Sequence, residues 1–156
     1  MNTDFEYVVR GVIDELTATS LEGLTFIGEY SLYNVSDLQK LELPNTVTKI
    51  EKYGVGANGK LHEVIIPESV VEIVTNSFSS IGTNASNFGY TIELRFLHSN
   101  SQPSPLPPQA GSELGAFYNK TARAANIYTD NEAIKNYAWS TDGITATLYH
   151  LDGTAW

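Results

Sequence analysis

The sequence predicts a mainly β fold: a short β-solenoid with repeats of about 23 residues, an N-terminal arm or short helix, and a C-terminal cap that contains a short helix. Two stretches carry the prediction, because residues 41–50 read LELPNTVTKI and residues 64–73 read VIIPESVVEI. Their apolar residues and their proline recur at the same spacing. In addition, Leu24 lies one period before Val47, which indicates an earlier copy.

Each repeat begins with a segment in which apolar and polar residues alternate, which is typical of a short strand with one buried face. Leu38–Leu43 and Leu61–Ile66 are the two clear examples. A proline follows each strand and ends it, because proline has no N–H with which to continue a ladder. A second short segment facing the same core is predicted at residues 47–50 and 70–73. One such unit cannot cover its own apolar face, so neighbouring units must stack.

The alternative is an ordinary β-sandwich with two hairpins that look alike by chance, but a sandwich does not require one offset in three copies. The next strand is predicted at Tyr90–Phe96. One period after Val64 falls on Asn87, whereas the matching apolar position is Ile92, five positions later, and we place the excess in the polar segment 82–87. Insertions in repeat arrays often lie on a binding face, so this loop is either a binding element or a tolerated loop without a role.

The C-terminal part carries turn and cap signals. Four prolines within residues 103–108 predict an extended connector without ladder bonds, and a ligand for a proline-reading module is the alternative. Residues 126–128 are predicted to form a strand. A capping box from Thr129 to Glu132 predicts a helix over residues 131–138. Two Asp-Gly turns bracket a predicted terminal strand at residues 144–151.

The predicted organisation has three parts: an N-terminal docking or assembly arm at residues 1–20, the repeats at residues 21–126 and the cap at residues 127–156. Within the arm, residues 4–10 are predicted to form a short helix or arm and residues 12–16 a strand. The start of the chain lacks the basic and long apolar regions of a secretory signal, and the short apolar runs predict no transmembrane helix. The candidate assembly residues of the arm are Phe5, Tyr7, Val8 and Val9.

The composition narrows the classes of partner. The chain has 9 Lys and Arg residues against 18 Asp and Glu residues, for a formal net charge of −9. Nucleic acids are bound mainly by clustered cations, so we do not expect a nucleic-acid partner. The absence of cysteine excludes disulfide frameworks, thiolate metal sites and cysteine nucleophiles.

The sequence offers few residues for catalysis or metal binding. His62, His98 and His150 are far apart, and we expect His62 to face solvent on its strand. No phosphate loop, dinucleotide fingerprint or nucleophile elbow is present. We therefore predict no catalytic residues, no metal ligands and no cofactor. A pair of glycosidase carboxylates depends on three-dimensional separation and stays open at this point.

The aromatic residues are the more suggestive feature, since the chain has 9 Tyr, 6 Phe and 2 Trp. Tyrosine and tryptophan are enriched in binding hot spots, while core packing is the alternative use for them. The candidate binding face, for sugar or protein contacts, consists of Tyr33, Tyr53, Tyr90 and Tyr118, with Tyr128 as a further member.

The repeat resembles a known family. Residues 27–32 read IGEYSL and residues 38–44 read LQKLELP, which is similar to the phrase IG-x-x-A-F-x-x-C-x-x-L-x-x-L-x-L-P of the BspA-type leucine-rich repeat. The chain departs from this phrase at Ser31-Leu32 and at Val35, where apolar volume is kept. LGAF at 114–117 looks like a final repeat, and the resemblance covers about residues 20–145.

The family occurs in bacterial surface proteins and in bacteriophage structural proteins, and this chain looks like the phage version. The resemblance implies a non-enzymatic virion protein that docks by its N-terminus and projects its repeats for host attachment or decoration. Implied partners are other virion proteins, further copies in a homo-oligomer such as a trimer, and a host-surface glycan or protein, without membrane insertion. The alternatives are a bacterial cell-surface adhesion module and a carbohydrate-active enzyme on a β-solenoid.

Overall fold

Short parallel strands dominate the chain. The computed structural model describes residues 13–108 and 114–156. Besides the strands, these residues contain one α-helix, α1 (Glu132–Lys135), and two 3-10 helices, Ala85–Phe88 and Trp139–Asp142. The strands are β1 (Glu15–Leu16), β2 (Phe26–Ile27), β3 (Lys40–Glu42), β4 (Lys49–Ile50), β5 (Glu63–Ile66), β6 (Glu72–Ile73), β7 (Ile92–Phe96), β8 (Arg123–Thr129) and β9 (Ile144–Tyr149).

The strands form two parallel sheets, one of six strands in the order β1-β3-β5-β7-β8-β9 and one of three strands in the order β2-β4-β6. From β1 to β6 the chain visits the two sheets alternately. Parallel neighbours need a long crossover, and each crossover between β1 and β7 contains a strand of the other sheet. The predicted mainly β fold with few helices is confirmed.

The register follows the sequence repeat in the first copies. Leu41 pairs with Val64, and Ile50 pairs with Ile73, so both pairs join equivalent positions of successive repeats. The next pairing differs from the prediction, because Val64 pairs with Leu94 and not with Ile92. The excess over the period is therefore seven positions and not five. In a strand with alternating buried residues, Ile92 and Leu94 are equivalent by pattern, so the sequence alone does not separate registers two positions apart.

The apolar core lies between the sheets. Burying one Leu, Ile or Val side chain contributes roughly 1.5–3 kcal/mol, so the repeated apolar rows hold the two sheets together. Towards the C-terminus aromatic rings take over this role: the ring centroids of Phe78 and Phe117 are 4.9 Å apart, and Trp139 packs 5.6 Å from Phe117. The largest fully buried side chains are Phe78, Phe96, Phe117, Leu21, Ile27, Leu32, Leu38, Leu41, Ile50, Leu61, Ile66 and Ile73.

A buried asparagine joins two successive repeats. The Asn58 side chain is fully buried, and its amide donates to the carbonyl oxygens of Leu32 (2.8 Å) and Val55 (2.6 Å). Its Oδ1 accepts from the Val35 N–H at 2.7 Å. Buried polar groups are stable when they are paired, and Asn58 uses both ends of its amide in this way.

The proline run does more than connect, which corrects one expectation. It was predicted to make no ladder bonds, yet the Pro105 carbonyl oxygen accepts from the Ile73 N–H at 2.8 Å. A proline lacks the N–H but keeps its carbonyl, so it can still cover one side of a strand. The run therefore lies against β6 of the small sheet.

The helix prediction is corrected in its start and length. Asn131 is the N-cap of α1, since its Oδ1 accepts from the Ile134 N–H at 3.0 Å. Thr129 still belongs to β8, and its hydroxyl accepts from the Asn131 N–H instead of capping the helix. The helix ends at Lys135 rather than near residue 138. The predicted terminal strand is present as β9, which ends at Tyr149.

The N-terminal prediction falls largely outside the described residues. Phe5, Tyr7, Val8 and Val9 all lie there, so their role in assembly stays a prediction. β1 belongs to the segment assigned to the arm, and it pairs with β3 in the large sheet. In the described part of the chain, no helix has the length and apolar character needed to cross a membrane.

Candidate functional site

The turns between the small sheet and the next strand of the large sheet contain left-handed residues at repeated positions. Tyr30, Tyr53 and Asn76 have φ values of 58°, 57° and 64°, and they occupy the same position of successive repeats. Four positions after each of them a second left-handed residue follows, namely Asn34 (φ 55°), Ala57 (φ 58°) and Ser80 (φ 61°).

These turns are stacked through their backbones. The Leu32 N–H donates to the Gly54 oxygen at 2.8 Å, and the Val55 N–H donates to the Ser77 oxygen at 3.0 Å. Since each turn is bonded to the next, its left-handed residues are held in place. A non-glycine residue in this region costs roughly 1–2 kcal/mol, and a bulky side chain there is an outlier. Asparagine tolerates it better, which accounts for Asn76 but not for the two tyrosines.

Tyr30, Tyr33 and Tyr53 form one cluster on these turns, which we call the tyrosine patch. The Tyr30 and Tyr53 rings are stacked with centroids 5.3 Å apart, and Tyr33 meets Tyr30 edge-on at 5.1 Å. Tyr30 and Tyr33 keep 47% and 44% of their surface exposed. Gly56 lies under Tyr33, and a Cβ added there would be 3.2 Å from a Tyr33 ring carbon. A side chain at residue 56 would therefore crowd the Tyr33 ring.

The electrostatics of the patch favour contacts over chemistry. Desolvation, followed by the charge of Glu29, raises the pKa of the Tyr30 hydroxyl above its ordinary value, so the phenol stays neutral. The Lys52 ammonium lies 5.2 Å from the centroid of the Tyr53 ring. Rigid aromatic faces with neutral hydroxyl groups at their rims can pack against a partner and donate hydrogen bonds to it.

The structure divides the predicted binding face among several places. It brings Tyr33 and Tyr53 together, with ring centroids 6.3 Å apart. Tyr118 lies in the fourth turn, where its carbonyl oxygen accepts from Ser80. Tyr128 projects from the large sheet, where its ring stacks on another tyrosine at 5.1 Å and on a guanidinium group at 3.9 Å.

Tyr90 packs on His62, and this contact corrects the prediction for the histidine. The two rings are parallel within 2° and their centroids are 4.0 Å apart. His62 was expected to face solvent, but it is buried and its Nδ1 lies 2.9 Å from the Lys60 carbonyl oxygen. The residue precedes β5, so strand alternation does not set the direction of its side chain.

Tyr30 is the patch residue that the prediction omitted. The signal for it was present, since Tyr30 and Tyr53 occupy the same position of successive repeats. A tyrosine does not by itself indicate a left-handed backbone. The sequence therefore did not reveal the turn that leaves this side chain exposed. The other two members were predicted as parts of a larger face.

A buried polar cluster lies near the C-terminus and serves the structure. The Asp142 carboxylate accepts from the N–H groups of Gly115 (2.7 Å) and Phe117 (2.9 Å) and from the Tyr137 hydroxyl (2.9 Å). Burial, followed by the charge of Asp142, raises the pKa of Tyr137. Because Asp142 is fully buried, the cluster fastens residues 115–117 to the C-terminal segment. Within the described residues, no three His, Asp or Glu side chains come together as metal ligands.

Comparison with known proteins identifies the repeat. The model of the BspA-type leucine-rich repeat region, with six copies, matches residues 13–101, which is more than half of the chain. No curated protein matches, and no solved structure matches. Leucine-rich repeats of this kind are typically non-enzymatic modules for protein interaction. The chain belongs to the BspA-type leucine-rich repeat family.

Proposed function

We propose that this chain is a non-enzymatic binding module and that the tyrosine patch is its contact surface. One observation carries the proposal: Tyr30 and Tyr53 are held in left-handed turns while nearly half of the Tyr30 surface stays exposed. The third turn has Asn76 at the same position, so the fold itself does not need a tyrosine there. The turn requires the left-handed backbone, and a tyrosine there carries strain that an asparagine would reduce. Strain of this kind is typical of functional positions.

Tyrosine suits such a surface because of its physics. It offers a large contact area with few rotatable bonds, so little conformational entropy is lost when a partner binds. The stacking of Tyr30 on Tyr53 and the backbone bonds between the turns reduce that loss further. We infer that the partner is a protein or glycan surface broad enough to cover all three rings.

For the architecture we propose a short solenoid with repeats of about 23 residues and a C-terminal cap. The spacing of paired residues in the first copies supports the repeat length. The contacts of Asp142 with residues 115–117 support the cap. The boundaries proposed from the sequence, 1–20, 21–126 and 127–156, pass through the sheet, since β8 continues to Thr129.

For the setting we propose a phage virion, in which the N-terminal arm contacts other virion proteins or further copies of the chain. Support comes from the resemblance to phage structural proteins and from the acidic charge, which limits non-specific contacts. A bacterial cell surface is the alternative setting. Immunogold electron microscopy of purified particles separates the two, because label on particles is expected only in the first.

The contact surface is tested with fluorescently labelled protein on intact bacterial cells and on purified particles. The variant Tyr30→Ser/Tyr33→Ser/Tyr53→Ser should bind about thirtyfold more weakly or worse, since loss of a hot spot costs about 2 kcal/mol or more. The matched control Tyr128→Ser/Tyr149→Ser removes an aromatic pair from the large sheet and should bind like the wild type. Equal binding by the wild type and the triple variant would reject the patch as contact surface.

A further inference from the structure

A second surface feature lies at the other end of the repeats. A cleft of about 370 Å³ separates the segment 82–92 from the segment 119–124. Small-ligand sites typically occupy about 300–1,000 Å³, so the cleft has room for one small ligand. It contains none of the residues of the tyrosine patch.

The cleft exists because the repeat period is broken here. The extra residues between β5 and β7 include the 3-10 helix Ala85–Phe88. One side of this insertion is bonded to the preceding turn, where Gly82 N–H donates to Asn58 oxygen (3.0 Å) and Asn84 N–H to Gly59 oxygen (2.8 Å). Its other side faces the next connection, residues 119–124, which does not run alongside the insertion.

That next connection, residues 119–124, is bonded on the side away from the insertion, to residues 142–143. The Asn119 N–H donates to the backbone oxygen of Asp142 at 3.1 Å, and the Arg123 N–H donates to the backbone oxygen of Gly143 at 2.8 Å. Each wall is thus bonded to its outer neighbour, and a gap is left between the walls. The cleft is therefore part of the folded architecture.

The one cation in the lining, Arg123, directs both terminal nitrogens of its guanidinium to backbone oxygens at the base of the cleft, and its buried Nε has no partner within the described residues. The Arg123 guanidinium donates to the carbonyl oxygens of Ile81 and Phe117, and Nη2 also donates to the backbone carbonyl oxygen of Asp142 at 3.3 Å. The Arg123 side chain is buried, and this burial lowers its pKa to about 10. Among the described lining residues there is no Asp, Glu or Lys. The lining therefore offers little to an anion and no acid to a cation.

What the lining does offer is hydroxyl groups and one aromatic face. The hydroxyls of Thr83, Ser86, Thr91 and Thr121 make no hydrogen bond within the described residues, so they are available to a ligand. Tyr90 forms an aromatic wall that is 45% exposed. The ring is held from behind by its parallel stacking on the buried imidazole of His62.

We propose that this cleft binds a neutral polyhydroxylated ligand, a single sugar or a disaccharide unit, with one sugar face packed on the Tyr90 ring. A sugar presents C–H groups on a ring face and alternating hydroxyl donors and acceptors at its edge. The C–H groups carry a small positive charge and suit the negative face of a tyrosine ring. Ser and Thr hydroxyls both donate and accept, so they match the edge of the sugar without a net charge.

The test is saturation-transfer NMR with the full chain and a panel of named sugars: glucose, galactose, N-acetylglucosamine, N-acetylgalactosamine, lactose and chitobiose. Each is used at about 10 mM, which detects millimolar affinity. Ala124→Trp fills the cleft from an exposed position on β8, so it removes no buried contact. The matched control, Thr147→Trp, adds the same side chain at an exposed position of β9 away from the cleft.

We expect at least one sugar to receive saturation from the wild type and from Thr147→Trp. Ala124→Trp should weaken that sugar about tenfold or more, and Tyr90→Ser should abolish the transfer to the protons of one sugar face. No transfer from the wild type to any sugar would overturn the proposal. Transfer that survives Ala124→Trp would overturn it as well.

Two further arms separate this cleft from the tyrosine patch and test the class of ligand. Tyr33→Ser should bind the sugar like the wild type, and a loss there would move the site to the patch and overturn the inference. Inorganic phosphate, titrated against the chemical shifts of the amides of Thr83 and Thr121, should cause no saturable change. A saturable change would overturn the neutral class. Loss of cell binding in the patch variants leaves these results untouched, so the two proposals fail separately.

Discussion

Replacing Ala57 by glycine tests the strain on which the proposed contact surface rests. Ala57 has a φ of 58° and occupies the second left-handed position of its turn. Its N–H donates to the Ser79 oxygen at 2.8 Å, a backbone bond that the substitution keeps. The left-handed conformation costs an L residue about 1–2 kcal/mol, and glycine avoids this cost. Glycine also raises the entropy of the unfolded chain, which lowers the free energy of unfolding by about 0.5–1 kcal/mol.

The net expectation for Ala57→Gly is therefore a gain of about 0.5–1 kcal/mol in the free energy of unfolding. For a chain of this size that gain corresponds to a rise in Tm of roughly 1–4 °C. Thermal and urea unfolding can be followed by the fluorescence of the buried Trp139. Ala124→Gly is the matched control, because Ala124 lies in the extended strand β8. It should lose about 0.5–1 kcal/mol.

Opposite signs for the two alanine-to-glycine changes would establish that the turn position is strained. If both variants lost stability equally, the left-handed positions would carry no measurable strain, and the argument from Tyr30 and Tyr53 would lose its basis. Glycine at either tyrosine position also removes stacking, so Ala57 isolates the backbone contribution more cleanly than the tyrosines do.

Three further predictions concern the buried polar residues. Asn58→Leu leaves one N–H and two carbonyl oxygens unpaired, so the free energy of unfolding in urea should fall by about 2–4 kcal/mol, and an unchanged value would contradict the role of Asn58 between repeats. Asp142→Ala should cost about 3–5 kcal/mol by the same assay, because it leaves the N–H groups of Gly115 and Phe117 and the Tyr137 hydroxyl without their acceptor, while Asp142→Asn keeps an acceptor oxygen and should cost less. Burial lowers the pKa of His98, so the unfolded state takes up a proton first and stability should fall as pH drops below about 6.5. His98→Gln should flatten this dependence in urea titrations at several pH values, and a slope as steep as that of the wild type would refute the assignment.

The sequence predicted the mainly β class because its signal is redundant. Leu41, Val64 and their neighbours repeat at a fixed offset, and the same offset appears as strand register. A pattern of buried and exposed positions is less informative about absolute register. Val64 was expected to align with Ile92, but it pairs with Leu94. Period-2 patterns leave such shifts by two positions undecided.

The candidate site was harder to predict, because it depends on backbone conformation and on neighbours from other repeats. Asn34 and Asn76 are the residues that would suggest left-handed turns, since asparagine adopts this conformation more readily than other non-glycine residues. The same conformation can be inferred for Tyr30 and Tyr53 only after the repeats have been aligned, because both align with Asn76. For His62 the repeat alignment does not help. The ring that covers it, Tyr90, comes from the segment where the period is interrupted.

The two proposed surfaces arise from different departures from the repeat. At the tyrosine patch the period is intact, and the departure is chemical, with an aromatic residue where the third copy has Asn76. At the cleft the period itself changes, and backbone that would pair with its neighbour is separated from it. A regular stack buries or pairs its groups from one copy to the next, so it has little free chemistry to offer a ligand. Recognition in such a short array is therefore to be sought where one copy differs from the next, and both surfaces satisfy that condition independently.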